Sequence, residues 1–223
     1  IFFRDYGEKL RSFITAHVVK PDKKSIIERI DNGRIRPSKS LQDVFANILK
    51  GKDEFHLLDE QNVFFQNIMA VVNRSTILRN KQVFIIEGGP GTGKSVLAIN
   101  LLAEAIKKEK TAAYVTKNAA PRNAYLSILA GDDRFEKKEY KGLFLSSGQL
   151  LSVKQNTYDV LLVDEAHRLN EKSGIFHNQG ENQIKEIINA SLISVFFIDE
   201  MQKISSYDIG SVAEIISWAE RFG

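Results

Sequence analysis

The 223 residues contain no cysteine, only four prolines and two methionines, and a single tryptophan. Without cysteine there is no disulfide framework, no thiolate-ligated zinc or iron–sulfur cluster, and no thiol nucleophile. The four histidines, His17, His56, His167 and His177, are scattered, which argues against a His-rich metal cage. No apolar run reaches the roughly 18–20 residues that a membrane span needs. Neither sign of charge dominates, with 31 Lys+Arg against 28 Asp+Glu. At 43% hydrophobic and 26% charged, the composition is globular and excludes whole-chain disorder. A chain of this length buries a core without staples and suits one large domain with a smaller appendage.

The charge is unevenly spread. Residues 1–52 carry 12 Lys+Arg and 6 Asp+Glu, net +6, and residues 53–223 carry 19 and 22, net −3. A basic lobe of this kind, including Arg34, Arg36 and Lys39, serves either as a phosphate-backbone contact or as a solvated helical face. The opening on Ile1, Phe2 and Phe3 suggests a fragment of a longer protein, with a cytoplasmic location as the default expectation.

The N-terminal part has helical periodicity. Residues 23–32 suggest a short helix stopped by Gly33, and Pro37–Ser40 open a second that ends at Gly51. A third, over about 60–73, puts Val63, Phe64, Ile68, Met69 and Val72 on one side. The pattern then changes to compact apolar runs: 82–87, 112–116, a weaker 143–146, 159–164 and 194–199. Such runs suit strands buried on both faces of a parallel sheet. Helical stretches alternate with them at 95–108, 120–130, 182–190 and 212–220. The expectation is a doubly wound α/β domain over residues 57–223, a mostly parallel sheet flanked by helices, preceded by a basic, mainly helical segment over 1–56. Residues 131–142 and 170–180 read as loops.

The chemistry concentrates in two places. Gly88-Gly89-Pro90-Gly91-Thr92-Gly93-Lys94-Ser95 fits G-x-x-x-x-G-K-[ST] at every position, between a strand and a helix. Its glycines let backbone N–H groups cradle phosphate oxygens, and the helix that follows turns its positive end to the same anion. Lys94 suits the β- and γ-phosphates, and the Ser95 hydroxyl suits Mg²⁺. The second place is Asp164-Glu165, at the tip of an apolar run 70 residues after Lys94. Ligands of open α/β sheets bind at such strand ends. Asp164 is the expected Mg²⁺ partner and Glu165 the expected general base for water. His167 either couples this site to nearby polar groups or caps the turn. Trp218, at helical spacing from Ile215, reads as core packing rather than a base-stacking platform.

Further stretches make the chain resemble superfamily 1 helicases. Leu57-Leu58-Asp59-Glu60-Gln61 resembles their Q motif, and by that resemblance Gln61 pairs with the adenine edge. Tyr114-Val115-Thr116-Lys117-Asn118 resembles motif Ia, which implies phosphate-backbone contacts by Thr116, Lys117 and Asn118. Phe196–Gln202 resembles motif III, with Ile198 where glycine is common. The resemblance assigns Asp199 to the nucleotide side and makes Gln202 the sensor of the γ-phosphate. More narrowly, GGPGTGKSVLAINLL, VDEAHRLNEKSG, ENQIKEII, FFIDEMQKI and the DIGS of Asp208–Ser211 are similar to a bacterial Schlafen-related P-loop family of DNA/RNA helicase type.

That resemblance implies a RecA-like ATPase core using ATP and Mg²⁺, with single-stranded DNA or RNA as partner. It also implies a second RecA-like domain in the full-length chain, which supplies transition-state arginines. Nothing after Gln202 provides that domain, and neither Arg122 nor Arg168 has the spacing of an arginine finger. The expectation is therefore ATP–Mg²⁺ binding with slow hydrolysis. The alternative is a nucleotide-operated switch that unwinds nothing.

Overall fold

The computed structural model describes residues 56–75, 80–130, 140–174, 178–203, 205 and 207–222, with Ser12 and Ala16, and only the backbone over 128–130. The chain divides into two compact units, Ile1–Ile35 and Arg36–Gly223, and every element named below belongs to the second. The expected helices before residue 56, the basic cluster Arg34, Arg36 and Lys39, and most of the 131–142 loop lie outside the described residues.

The strands are β1 (Gln82–Glu87), β2 (Ala112–Val115), β3 (Phe144–Leu145), β4 (Tyr158–Val163) and β5 (Ser191–Ile198). They form one sheet in the order β1-β5-β4-β2-β3, and every pairing is parallel. The described helices are α1 (Asp59–Val72), α2 (Lys94–Lys107), α3 (Ala119–Ala130), α4 (Gln183–Ala190) and α5 (Val212–Arg221). This is the expected alternation. β5 differs by starting at Ser191, directly out of α4, because Ser191 and Ser194 bury their hydroxyls against each other and let the ladder run further back.

Both faces of the sheet are covered, which is why its strands read as unbroken apolar runs. On one face Leu162, Val195, Phe197 and Tyr114 meet Ile68, Met69 and Val72 of α1 and Leu101, Leu102 and Ile106 of α2. On the other, Leu161, Val163, Phe196 and Ile198 meet Ile184, Ile187 and Ile188 of α4 and Ile215 of α5. Adjacent residues thus serve opposite cores, as the two-residue strand period demands. α4 starts where Asn182 Oδ1 accepts from the N–H groups of Ile184 (2.9 Å) and Lys185 (3.3 Å), and Ser211 Oγ caps α5 by accepting from Glu214 N at 3.1 Å.

Trp218 packs on the second core from its edge, as expected. Its Nε1 donates to Glu214 Oε1 at 2.9 Å, and the Arg221 guanidinium lies 4.4 Å from its ring centroid. No helix among the described residues is long and apolar enough to cross a membrane.

Candidate functional site

All five strands point the same way, so their C-terminal ends share one edge, and the singled-out residues gather there. The turn after β1 begins inside the ladder, since Gly88 N donates to Ile198 O of β5 at 3.1 Å. Gly91 and Gly93 have φ of +75° and +77°, the left-handed region that glycine enters at little cost. At Gly93 there is a second reason. A Cβ there would lie 2.2 Å from Gln61 Nε2, so any side chain at this position would displace the Gln61 amide from the loop. Lys94 Nζ donates to the carbonyls of Gly88 (2.5 Å) and Gly89 (2.6 Å) and spans the mouth of the loop. Thr92 Oγ1 closes the turn on Gly89 O at 2.9 Å.

Gln61 is held against this loop. Its Nε2 donates to Thr92 O at 2.8 Å, and its Oε1 accepts from Leu58 N at 3.0 Å. The second bond is the reciprocal half of a helix-start cap, which explains why a glutamine stands three residues into α1. Each end of the amide keeps one further hydrogen-bonding position.

The acidic end of β4 meets the loop through Ser95, whose Oγ donates to Asp164 Oδ2 at 2.6 Å. Tyr114 Oη donates to the same oxygen at 2.5 Å, and Glu165 N donates to Oδ1 at 2.9 Å. Three donors thus converge on a carboxylate that is only 4% exposed. Tyr114 is fully buried, and burial followed by the Asp164 charge drives its pKa far above the ordinary tyrosine value. It acts as a fixed O–H donor. Tyr125, beside it edge-on, is pushed up to about 12 for the same reasons.

Glu165 has φ 52° and ψ 45°, a left-handed conformation that costs a non-glycine residue about 1–2 kcal/mol. The turn is braced from behind. Ile209 N donates to Leu169 O at 2.8 Å, and the Gly210 Cα packs on the Ala166 carbonyl so closely that a Cβ would fall 1.9 Å from that oxygen. This accounts for the glycine of the DIGS segment.

The motif Ia-like residues make contacts within the protein. Thr116 is fully buried, and its Oγ1 donates to Glu165 Oε2 at 3.5 Å. Asn118 Nδ2 donates to the same oxygen. Lys117 Nζ reaches Asn170 Oδ1 at 2.9 Å and Asp208 Oδ1 at 3.3 Å. Thr116 is enclosed by these contacts, while Lys117 and Asn118 stay partly exposed, and all three meet the β4 side because the end of β2 lies beside the end of β4 and its carboxylates.

Asp208 also lies 3.3 Å from Arg168 Nε, so a buried carboxylate links a cation after β2 to one after β4. Arg168 is thereby committed to this pair. Arg122 Nη1 donates to Thr116 O at 3.5 Å.

His167 lies between the turn after β4 and the end of β5. Its Nδ1 accepts from Asp199 N at 3.4 Å, which ties the β4 turn to the end of β5. Burial lowers its pKa, outweighing the opposing charges of Glu165 and Asp199, so the ring is neutral and its proton belongs on Nε2. Asp199 and Gln202 face each other, with Gln202 Nε2 donating to Asp199 Oδ2 at 2.8 Å while Oδ1 accepts from Met201 N at 3.2 Å.

Gly88–Ser95, Gln61, Asp164, Glu165 and, through His167, Asp199 and Gln202 are thus assembled on one edge. Sequence reasoning missed Tyr114, the Asn118–Glu165 contact, the Lys117–Asp208–Arg168 link and the packing of Gly210. The DIGS segment was the one signal, since it put an acid and a glycine at a place with no local role. Among the described residues no group of three or more His, Asp or Glu gathers as a metal site. A hydroxyl and one carboxylate are, however, the kind of donor set that Mg²⁺ takes alongside phosphates and water.

The family described as Schlafen group 3, DNA/RNA helicase domain, matches residues 81–223, well over half of the chain. Among curated proteins, none matches. Among solved structures, the crystal structure of the UvsW helicase from bacteriophage T4 is similar at 12% identity, covering 98% of this chain and 76% of that one with a TM-score of 0.29. So faint a likeness carries no argument.

Proposed function

The chain belongs to the Schlafen group 3 DNA/RNA helicase domain family, and on that premise we propose that it is a RecA-like P-loop ATPase that couples ATP–Mg²⁺ hydrolysis to single-stranded DNA or RNA. The observation that carries the reading is the 2.6 Å bond from Ser95 Oγ to Asp164 Oδ2, which joins the phosphate loop to the acidic strand end. The meeting of two separate motifs in one hydrogen bond supports a shared role at a phosphate-bound cation.

The residues present fit the group. The backbone of Gly88–Gly93 and the start of α2 favour phosphate oxygens. Lys94 exchanges its two carbonyl partners for phosphate. Ser95 and Asp164 would hold Mg²⁺, which would supply neutralisation of phosphate charge. Gln61, fixed to Thr92 O, retains a donor and an acceptor for the adenine edge. Glu165 takes the proton of the attacking water. Gln202, on Asp199, responds at the γ-phosphate side, and His167 links that response to the turn bearing Glu165.

The alternative, a nucleotide-operated switch, is favoured by one observation: the Glu165 carboxylate is engaged by Asn118 and Thr116. The two are separated by steady-state ATPase measurements with and without single-stranded DNA and RNA. Stimulation by either polymer supports the motor. ATP binding with no stimulation supports the switch. Lys94→Ala weakens nucleotide binding in both cases. Glu165→Gln spares binding and removes turnover, and unchanged turnover would discard Glu165 as the base.

A further inference from the structure

We propose that Asn118 is a positioning residue that holds the Glu165 carboxylate aside, so that turnover requires its amide to be withdrawn. This rests on the reading of Glu165 as general base. Asp164 and Glu165 are neighbours in sequence, yet their carboxylates part. Asp164 faces the phosphate loop through Ser95. Glu165 Oε2 instead accepts from Asn118 Nδ2 and Thr116 Oγ1, which both follow β2. In the sheet β2 lies on the far side of β4 from β5 and β1. The carboxylate therefore leans away from the strand that leads to Lys94.

The two donors differ in what they can do. Thr116 is fully buried beneath the strand end. Asn118 is partly exposed and directly precedes α3, whose first residues Ala119 and Ala120 are exposed. Lys117 anchors the chain to Asn170 and Asp208, which leaves Asn118 as the first residue past that anchor. A contact at the start of α3 can thus draw the amide from Glu165 without entering the phosphate loop. Glu165 has a left-handed backbone and Gly210 packs on the residue after it, Ala166, so reorientation falls to the Glu165 side chain.

The test compares wild type, Asn118→Ala and Asn118→Gln, each with saturating Mg²⁺ and with or without a single-stranded DNA or RNA oligonucleotide. Removing a hydrogen bond to a charged group should raise the unstimulated kcat of Asn118→Ala by about tenfold or more, with KM for ATP unchanged. The ratio of stimulated to unstimulated kcat should fall by a similar factor. Asn118→Gln, which keeps a donor, should fall between the two. A lower or unchanged unstimulated kcat in Asn118→Ala overturns the proposal, as does a complete lack of turnover in both wild type and variant. Glu165→Gln, assayed in parallel, separates the two failures. If it keeps turnover, the assignment of the base has failed. If it abolishes turnover while Asn118→Ala also slows it, the base stands and only the restraint is wrong.

Discussion

Ser95 Oγ donates to Asp164 Oδ2 at 2.6 Å across 69 residues of chain. The bond joins the first residues of α2 to the end of β4, although β5 separates β4 from the strand that feeds the loop. Ser95→Ala removes the hydroxyl and leaves the fold, since Asp164 keeps Tyr114 and Glu165 N as donors. ATP binding measured by calorimetry should lose about tenfold or more in affinity with Mg²⁺ present and change little with EDTA. Equal losses in both conditions would show that Ser95 acts on the loop and not on the cation.

Tyr114→Phe removes one of three donors from a buried carboxylate and leaves the ring packing intact. Urea unfolding should show a loss of about 1.5–3 kcal/mol. Tyr114 is also held in its neutral form by burial and by Asp164, so alkaline absorbance titration of the folded protein should lack its phenolate step.

His167 supplies a pH dependence. Its pKa is depressed by burial, so in the window below the ordinary value of about 6.5 the unfolded chain binds a proton that the folded chain refuses. Stability should therefore fall as pH drops from about 7 toward the depressed value and hold steady above it. His167→Gln should flatten this slope in urea melts at pH 7.5 and 5.5. An identical slope in the variant would place the titration elsewhere.

Gly210→Ala puts a methyl group into the Ala166 carbonyl, 1.9 Å from the oxygen. Overpacking of this kind costs about 1–3 kcal/mol or more. Because the displaced turn carries Glu165, kcat should fall by more than KM changes. Gly142→Ala, where a Cβ meets nothing within 4 Å, is the control and should leave both unchanged.

Much of this fold was legible from local pattern. The run QVFIIE before the phosphate loop forms β1 over the expected residues, and DVLLVD holds most of β4, because buried parallel strands and helix faces imprint their periods on neighbouring residues. The turn after β1 was legible for the same reason, since its glycines, lysine and serine fall within eight consecutive residues. Gln61 was read for its side chain but not for its place, which depends on α1 docking against Gly93.

The sequence by itself determined the elements, the parallel class of the sheet and the residues proposed for a phosphate and a cation. Only the tertiary structure decided the strand order and the partners of Asp164 and Glu165. Tyr114 reaches Asp164 across 50 residues, Asn118 reaches Glu165 across 47, and Lys117 reaches Asp208 across 91. Such pairs have no local period to betray them. They exist because β4 was placed between β2 and β5, and that order is set by which apolar faces close on one another, a property of the assembled core.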